Sequence, residues 1–200
     1  VYTPGEITAL CQWAKGQGLK THMDGARFAN AVVATAVSPA ALTWQAGIDL
    51  LSFGATKNGA MTAEALVVFD EALAESLRVR QKRAGHLWSK QRYLAAQLLA
   101  YLEGDLWLQL AGHANAQARR LSEGLSVLPG VHLDAPAEAN AVFVHLPVAM
   151  QHALQEAGAT FYPWHAPGLA PSETRVRLVT HHATPPEEVE QFLAVAEAAC

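Results

Sequence analysis

The hydrophobic pattern changes period several times along the chain. Ile7, Leu10, Cys11 and Ala14 recur three and four positions apart, the spacing of a helix face. Thr3-Pro4-Gly5-Glu6 reads as its start: a threonine cap, proline at the first helical position, glutamate three residues after the cap. Gly16 and Gly18 predict its end. Residues 19–23 form a short strand candidate running into Asp24-Gly25-Ala26-Arg27. Residues 28–37 are apolar and helical in pattern, residues 40–46 suit a further short helix, and residues 49–53 and 65–69 read as strands. Strands alternating with helices predict an α/β layer with a mainly parallel sheet.

From about 71 to 125 the pattern is helical, with breaks predicted near Gly85, Gly104 and Gly112. Leu94, Leu98 and Tyr101 share one face, as do Leu106 and Leu110. Beyond Pro129-Gly130 strands are predicted over 141–146 and 174–180, a helix over 148–157, and a short extended piece over 160–162. Thr184-Pro185-Pro186-Glu187 repeats the capping-box pattern and opens a last helix. The domain boundary is placed near residue 110. Residues 1–110 then form an α/β unit and 111–200 a small C-terminal α+β unit.

Composition narrows the class. Half of the 200 residues are apolar (51%), enough for a sizeable core, and the net charge of -4 gives no reason to expect nucleic acid. Cys11 and Cys200, near opposite ends, make neither a disulfide framework nor a metal cluster, so a reducing compartment and the cytoplasm are the simple expectation. No apolar run suits a membrane span. The chain opens at Val1 on the lead-in to a helix and reads as a fragment.

Three segments carry chemistry. Asp24 lies at the C-terminal end of a strand, where α/β folds bind ligands, and a carboxylate there can pair with a protonated ring nitrogen. Gly25 would allow a sharp turn and the approach of a ligand. Equally, Asp24 could cap the next helix with Arg27 as its ionic partner one turn on, and for this segment alone that reading is the better one. Lys57 follows a buried strand in a turn of small residues, Gly54-Ala55-Thr56-Lys57-Asn58-Gly59. Desolvation and a neighbouring cation would free its amine for Schiff-base chemistry, and the glycines would leave room for a planar ring. The plain alternative is a surface lysine on a turn. Arg175 and Arg177 project to one face of a strand. They suit either a bidentate grip on a carboxylate or a charged edge strand that resists aggregation.

Taken in order, HMDGARFANAVV (22–33), SFGATKNG (52–59), KRAGHLWSKQRYLAAQLLAYL (82–102) and RVRLVTHH (175–182) resemble the threonine aldolase family. That family lies within the β-eliminating-lyase group of fold-type I pyridoxal-phosphate (PLP) enzymes. TKNG followed by AGHLWSK is most similar to the bacterial branch that includes phenylserine aldolases. The resemblance implies the fold-type I, PLP-dependent transferase-like fold, with part of the large PLP-binding domain followed by the small domain. It implies PLP as cofactor and cleavage of L-threonine, L-allo-threonine or phenylserine to glycine and an aldehyde. Lys57 would be the Schiff-base lysine, Asp24 the partner of the pyridine nitrogen, Arg27 a neighbour of the ring's phenolic oxygen, and Arg177 the clamp for the substrate α-carboxylate. Lys82 and Lys90 fall where the family places basic residues near the active site. The phosphate-binding loop, the ring stacked on the cofactor and a base would belong to an N-terminal part, and a homodimer or homotetramer is implied. β-Elimination or racemisation of an amino acid would use the same Asp24 and Lys57, and a fragment inactive by itself is the remaining alternative.

Overall fold

In the computed structural model, which describes residues 1–164 and 167–200, the chain divides into two units, 1–110 and 111–200. Helix α1 (Pro4–Gly16) opens the first. Its cap forms as the sequence predicts: the Glu6 amide donates to Thr3 Oγ1 (3.3 Å) and the Thr3 amide donates to Glu6 Oε2 (2.7 Å). These bonds satisfy two amides that the first helical turn leaves without partners. Ile7, Cys11 and Ala14 are the buried face.

Strands β1 (His22–Gly25), β2 (Leu50–Gly54) and β3 (Glu64–Val68) form one sheet in that order. Helix α2 (Phe28–Thr35) lies between β1 and β2 in sequence. β1 and β2 run parallel, with Asp24 opposite Ser52 and Gly25 opposite Phe53. β3 returns antiparallel to β2. The segment between β2 and β3 holds one short 3₁₀ turn, Thr56–Asn58, and no helix long enough for a parallel crossover. The sheet is therefore mixed, with its parallel pair on the β1 side. The helix predicted over 40–46 is reduced to a 3₁₀ turn at Trp44–Ala46.

Helices α3 (Ala74–Arg83) and α4 (Arg92–Leu102) follow, then α5 (Leu106–Ser126). Gly85 and Gly104 take positive φ at the breaks, as expected, but α5 runs through Gly112 without interruption. A glycine inside a helix costs only about 1 kcal/mol relative to alanine, less than the packing of a long amphipathic face supplies. Within the first unit the rings of Phe28, Phe53, Tyr101 and Trp107 form a cluster, with neighbouring centroids 5.6 to 6.5 Å apart.

The second unit packs the later part of α5 with α6 (Val148–Glu156) and α7 (Pro186–Ala198) against an antiparallel sheet. Its strands are β4 (His132–Leu133), β5 (Ala141–Pro147) and β6 (Glu173–Val179), with β5 central. Val142, Val144 and Leu146 of β5 alternate inward and meet Val176 and Leu178 of β6, Leu125 of α5, Met150 and Leu154 of α6, and Val189 of α7. That strict alternation is why both long strands were legible. One local expectation is corrected here. Thr184 does not cap α7: Pro185 holds the cap position, and Thr184 Oγ1 instead accepts from the His181 amide (2.9 Å). The short piece over 160–162 leads to a single bridge that joins Pro163 to Val176. Among the described residues no helix is long and apolar enough to cross a membrane.

Candidate functional site

Asp24 and Lys57 lie at the same end of two adjacent parallel strands. Asp24 is the third residue of β1, exposed, and its Oδ1 accepts from the Ala26 amide (3.0 Å). This closes a tight turn into α2, whose cap position is Arg27, not Asp24. The helix-capping reading of Asp24 is thereby set aside. His22 is two residues earlier on the same face of β1, and its Nε2 shares a 2.8 Å hydrogen bond with Ser52 Oγ of β2. Lys57 occupies the 3₁₀ turn just beyond β2 and is exposed in this chain. Its neighbours point the other way: Ala55 and Asn58 are the buried residues of the turn. Gly59 closes it at φ 116°, a conformation that favours glycine.

The glycines at this edge let the strands pack closely. A Cβ on Gly25 would stand 2.6 Å from the Ser52 carbonyl oxygen and 2.5 Å from Leu51 Cδ1. One on Gly54 would stand 2.7 Å from Ala26 Cα. Both positions exclude a side chain, because β1 approaches β2 and the Ala26 backbone approaches Gly54.

The turn is tied down from below. Asn58 Nδ2 donates to Tyr101 Oη (2.7 Å) and to the Trp107 carbonyl (2.8 Å), with all three residues buried. Burial pushes the Tyr101 phenol above its ordinary pKa, against the opposing effect of the Asn58 hydrogen bond. Gln97 Oε1 accepts from the Met61 amide (3.0 Å) and the Thr62 amide (3.2 Å). Sequence reading missed Asn58 and Gln97. The signal available was an amide side chain directly after the lysine, but its partners lie more than forty positions away.

Arg175 and Arg177, alike in sequence, separate in the structure of the second unit. Arg175 is bound to Asp134 through Nε (2.8 Å) and Nη2, and lies over the Phe143 ring. His145 Nε2 holds the other Asp134 oxygen at 2.9 Å. The Arg175 and His145 hydrogen bonds together keep the Asp134 carboxyl below its usual range. Arg177 has no carboxylate within ion-pair distance among the described residues. It stacks on Trp164, 4.7 Å from the ring centroid, and lines a cavity of about 420 Å³ with Tyr162, Thr180 and His181. Arg175 is thus occupied, and Arg177 presents a guanidinium to open space. β6 is also an edge strand, so a role against strand pairing remains compatible with both arginines.

The donor set of the first unit suits PLP chemically. A carboxylate can accept from a ring N–H, and a primary amine one strand away can attack an aldehyde; both stand at the carboxyl ends of parallel strands. Lys82 and Lys90 are exposed, Lys82 in α3 and Lys90 in the segment before α4.

Comparison with known proteins identifies the family. The family model described as beta-eliminating lyase matches residues 1–149. A low specificity L-threonine aldolase of Pseudomonas aeruginosa is 48% identical over 162 residues, covering 81% of this chain and 47% of that protein. A probable low-specificity L-threonine aldolase 2 of Arabidopsis thaliana is 29% identical over 96% of this chain and 53% of its own length. The chain spans about half the length of the curated relatives it matches. Among solved structures, the threonine aldolase of Leishmania major superimposes with a TM-score of 0.89 at 29% identity, over 98% of this chain and 56% of that one. A serine palmitoyltransferase of Sphingomonas wittichii, 19% identical with a TM-score of 0.67, shares the fold. The architecture is the α/β fold of the fold-type I transferase-like enzymes, and the chain belongs to the beta-eliminating lyase family.

Proposed function

We propose that the protein is a PLP-dependent aldolase. It cleaves L-threonine, L-allo-threonine or related β-hydroxy-α-amino acids, phenylserine included, to glycine and an aldehyde. This chain carries the residues that anchor the cofactor. The observation that carries the reading is the placement of Asp24 and Lys57 at the carboxyl ends of the adjacent parallel strands β1 and β2. The 48% identity to a bacterial low specificity L-threonine aldolase supports the substrate class.

PLP, when bound, supplies an electron sink for the pair left behind as the Cα–Cβ bond breaks. Asp24 would hold a proton on the pyridine nitrogen, since a carboxylate beside that nitrogen favours its charged form. Lys57 would supply the amine that holds the cofactor. Arg27, half-buried at the start of α2, would be a further cofactor-binding residue. Arg177, stacked on Trp164 at the cavity, would grip the substrate carboxylate with two parallel N–H donors. We further propose that the protein works in the cytoplasm as a homodimer or homotetramer.

Borohydride reduction in the presence of PLP tests the reading. Peptide mapping is expected to find the pyridoxyl group on Lys57 and to lose it in Lys57→Ala. A label spread over Lys15, Lys20, Lys82 and Lys90 in the full-length protein would refute it.

A further inference from the structure

We propose that Asn58, Tyr101 and Gln97 are positioning residues for Lys57, through which helix α4 sets where the lysine amine stands. The inference rests on Lys57 being the cofactor lysine. Lys57 sits in a turn of only three residues, directly between the end of β2 and Gly59. Its own side chain is exposed, so its aim depends on the backbone that carries it. The backbone that follows it is held at two points by side chains of one helix. The buried Asn58 amide, next to the lysine, donates to Tyr101 Oη (2.7 Å), and also to the Trp107 carbonyl (2.8 Å). A few residues on, Gln97 Oε1 accepts from two consecutive amides, Met61 (3.0 Å) and Thr62 (3.2 Å). Gln97 and Tyr101 are four positions apart in α4 and so share one of its faces.

The chemistry of these groups argues for a role beyond filling space. Asn58 is 4% exposed and has both amide protons directed at oxygens, an arrangement with a defined orientation that an apolar residue would lack. Tyr101 is itself fixed among Phe53 and Trp107. A reactive amine needs its angular position held closely, and a displacement of about 1 Å can cost on the order of 100-fold in rate. The turn's own backbone bonds, from the Asn58 and Ala60 amides to the Ala55 carbonyl (3.0 and 3.1 Å), close it on the side before the lysine, and the α4 side chains hold the residues after it.

The test uses the full-length protein with Asn58→Ser, Tyr101→Phe and Gln97→Ala. Without cofactor, amide exchange at Met61 and Thr62 is expected to accelerate roughly tenfold in Gln97→Ala, because each amide loses its only side-chain acceptor. With PLP bound, Asn58→Ser and Tyr101→Phe are expected to shift the pH at which the visible band of the lysine-bound cofactor interconverts. They should also lower kcat about tenfold with KM changed less than about threefold, the pattern of a misplaced reacting group. Gln97 is only half-buried and Tyr101→Phe keeps the ring, so these two decide the matter if Asn58→Ser does not fold. Melting temperatures that fall while the band's pH and kcat stay at parent values would reduce the three residues to a structural role and overturn the inference. Borohydride label persisting in Lys57→Ala would instead remove the cofactor assignment beneath it. Label confined to Lys57 with all three variants behaving as parent would overturn the positioning alone.

Discussion

Gly25→Ala perturbs the strand contact that brings Asp24 level with β2. The added methyl would stand 2.6 Å from the Ser52 carbonyl oxygen, 2.5 Å from Leu51 Cδ1 and 3.2 Å from Phe28 Cβ. Leu51 can turn its terminal methyl aside. The Ser52 oxygen cannot move, because it belongs to β2, which is paired on both sides. An ordinary carbon–oxygen contact is about 3.3 Å or longer, so β1 must retreat by roughly 0.7 Å or tilt out of register. Overpacking of this kind costs about 1–3 kcal/mol, and the backbone partner places it near the upper end. For a unit of about a hundred residues, roughly 3 kcal/mol corresponds to a melting temperature lowered by on the order of 10 °C. Gly5→Ala is the control. It lies inside α1 with nothing within 4 Å of the new methyl, and should raise stability by about 0.5 kcal/mol. Differential scanning calorimetry of both variants measures the contrast. Gly25→Ala melting within about 2 °C of the parent would refute the account of Gly25 as a packing glycine.

Two further outcomes follow from the second unit. Asp134 titrates lower in the folded chain than in the unfolded one, so the stability it contributes is complete above its ordinary pKa of 3.8 and is lost as pH falls below that. Asp134→Asn should therefore flatten the acid limb of the melting curve and lower stability at neutral pH. Arg175→Met should do the same, whereas Arg177→Met should leave the limb in place, and equal effects of the two arginines would contradict the assignment. His182 is held below 6.5, first by burial, then by His181 and His113. Its folded pKa is depressed, so the unit should lose stability as pH falls below about 6.5 through the lower folded value. His182→Gln should remove that loss in melts compared across this window.

Much of the fold is written in local pattern. The cap of α1 needs only Thr3, Pro4 and Glu6, which are neighbours in the chain. β5 and β6 alternate inward and outward so regularly that one period of two identifies both. The DGAR and TKNG segments point to Asp24, Arg27 and Lys57 because each is a short contiguous run whose resemblance to a family can be read directly. Other features depend on residues that no local window contains. Gly112 looks like a break and stays helical, because the faces of α5 are packed against partners elsewhere. Arg175 and Arg177 are equivalent by spacing; Asp134, forty-one positions away, makes one a structural ion pair and leaves the other at a cavity. That Gly25 leaves no room for a Cβ follows from the Ser52 carbonyl on the neighbouring strand. Asn58 meets Tyr101 across forty-three positions. The sequence by itself determined the elements and the chemical inventory of the site, because capping and periodicity act over a few residues. Only the tertiary structure decided which polar groups were already satisfied, because their partners are brought close solely by the packing of distant elements.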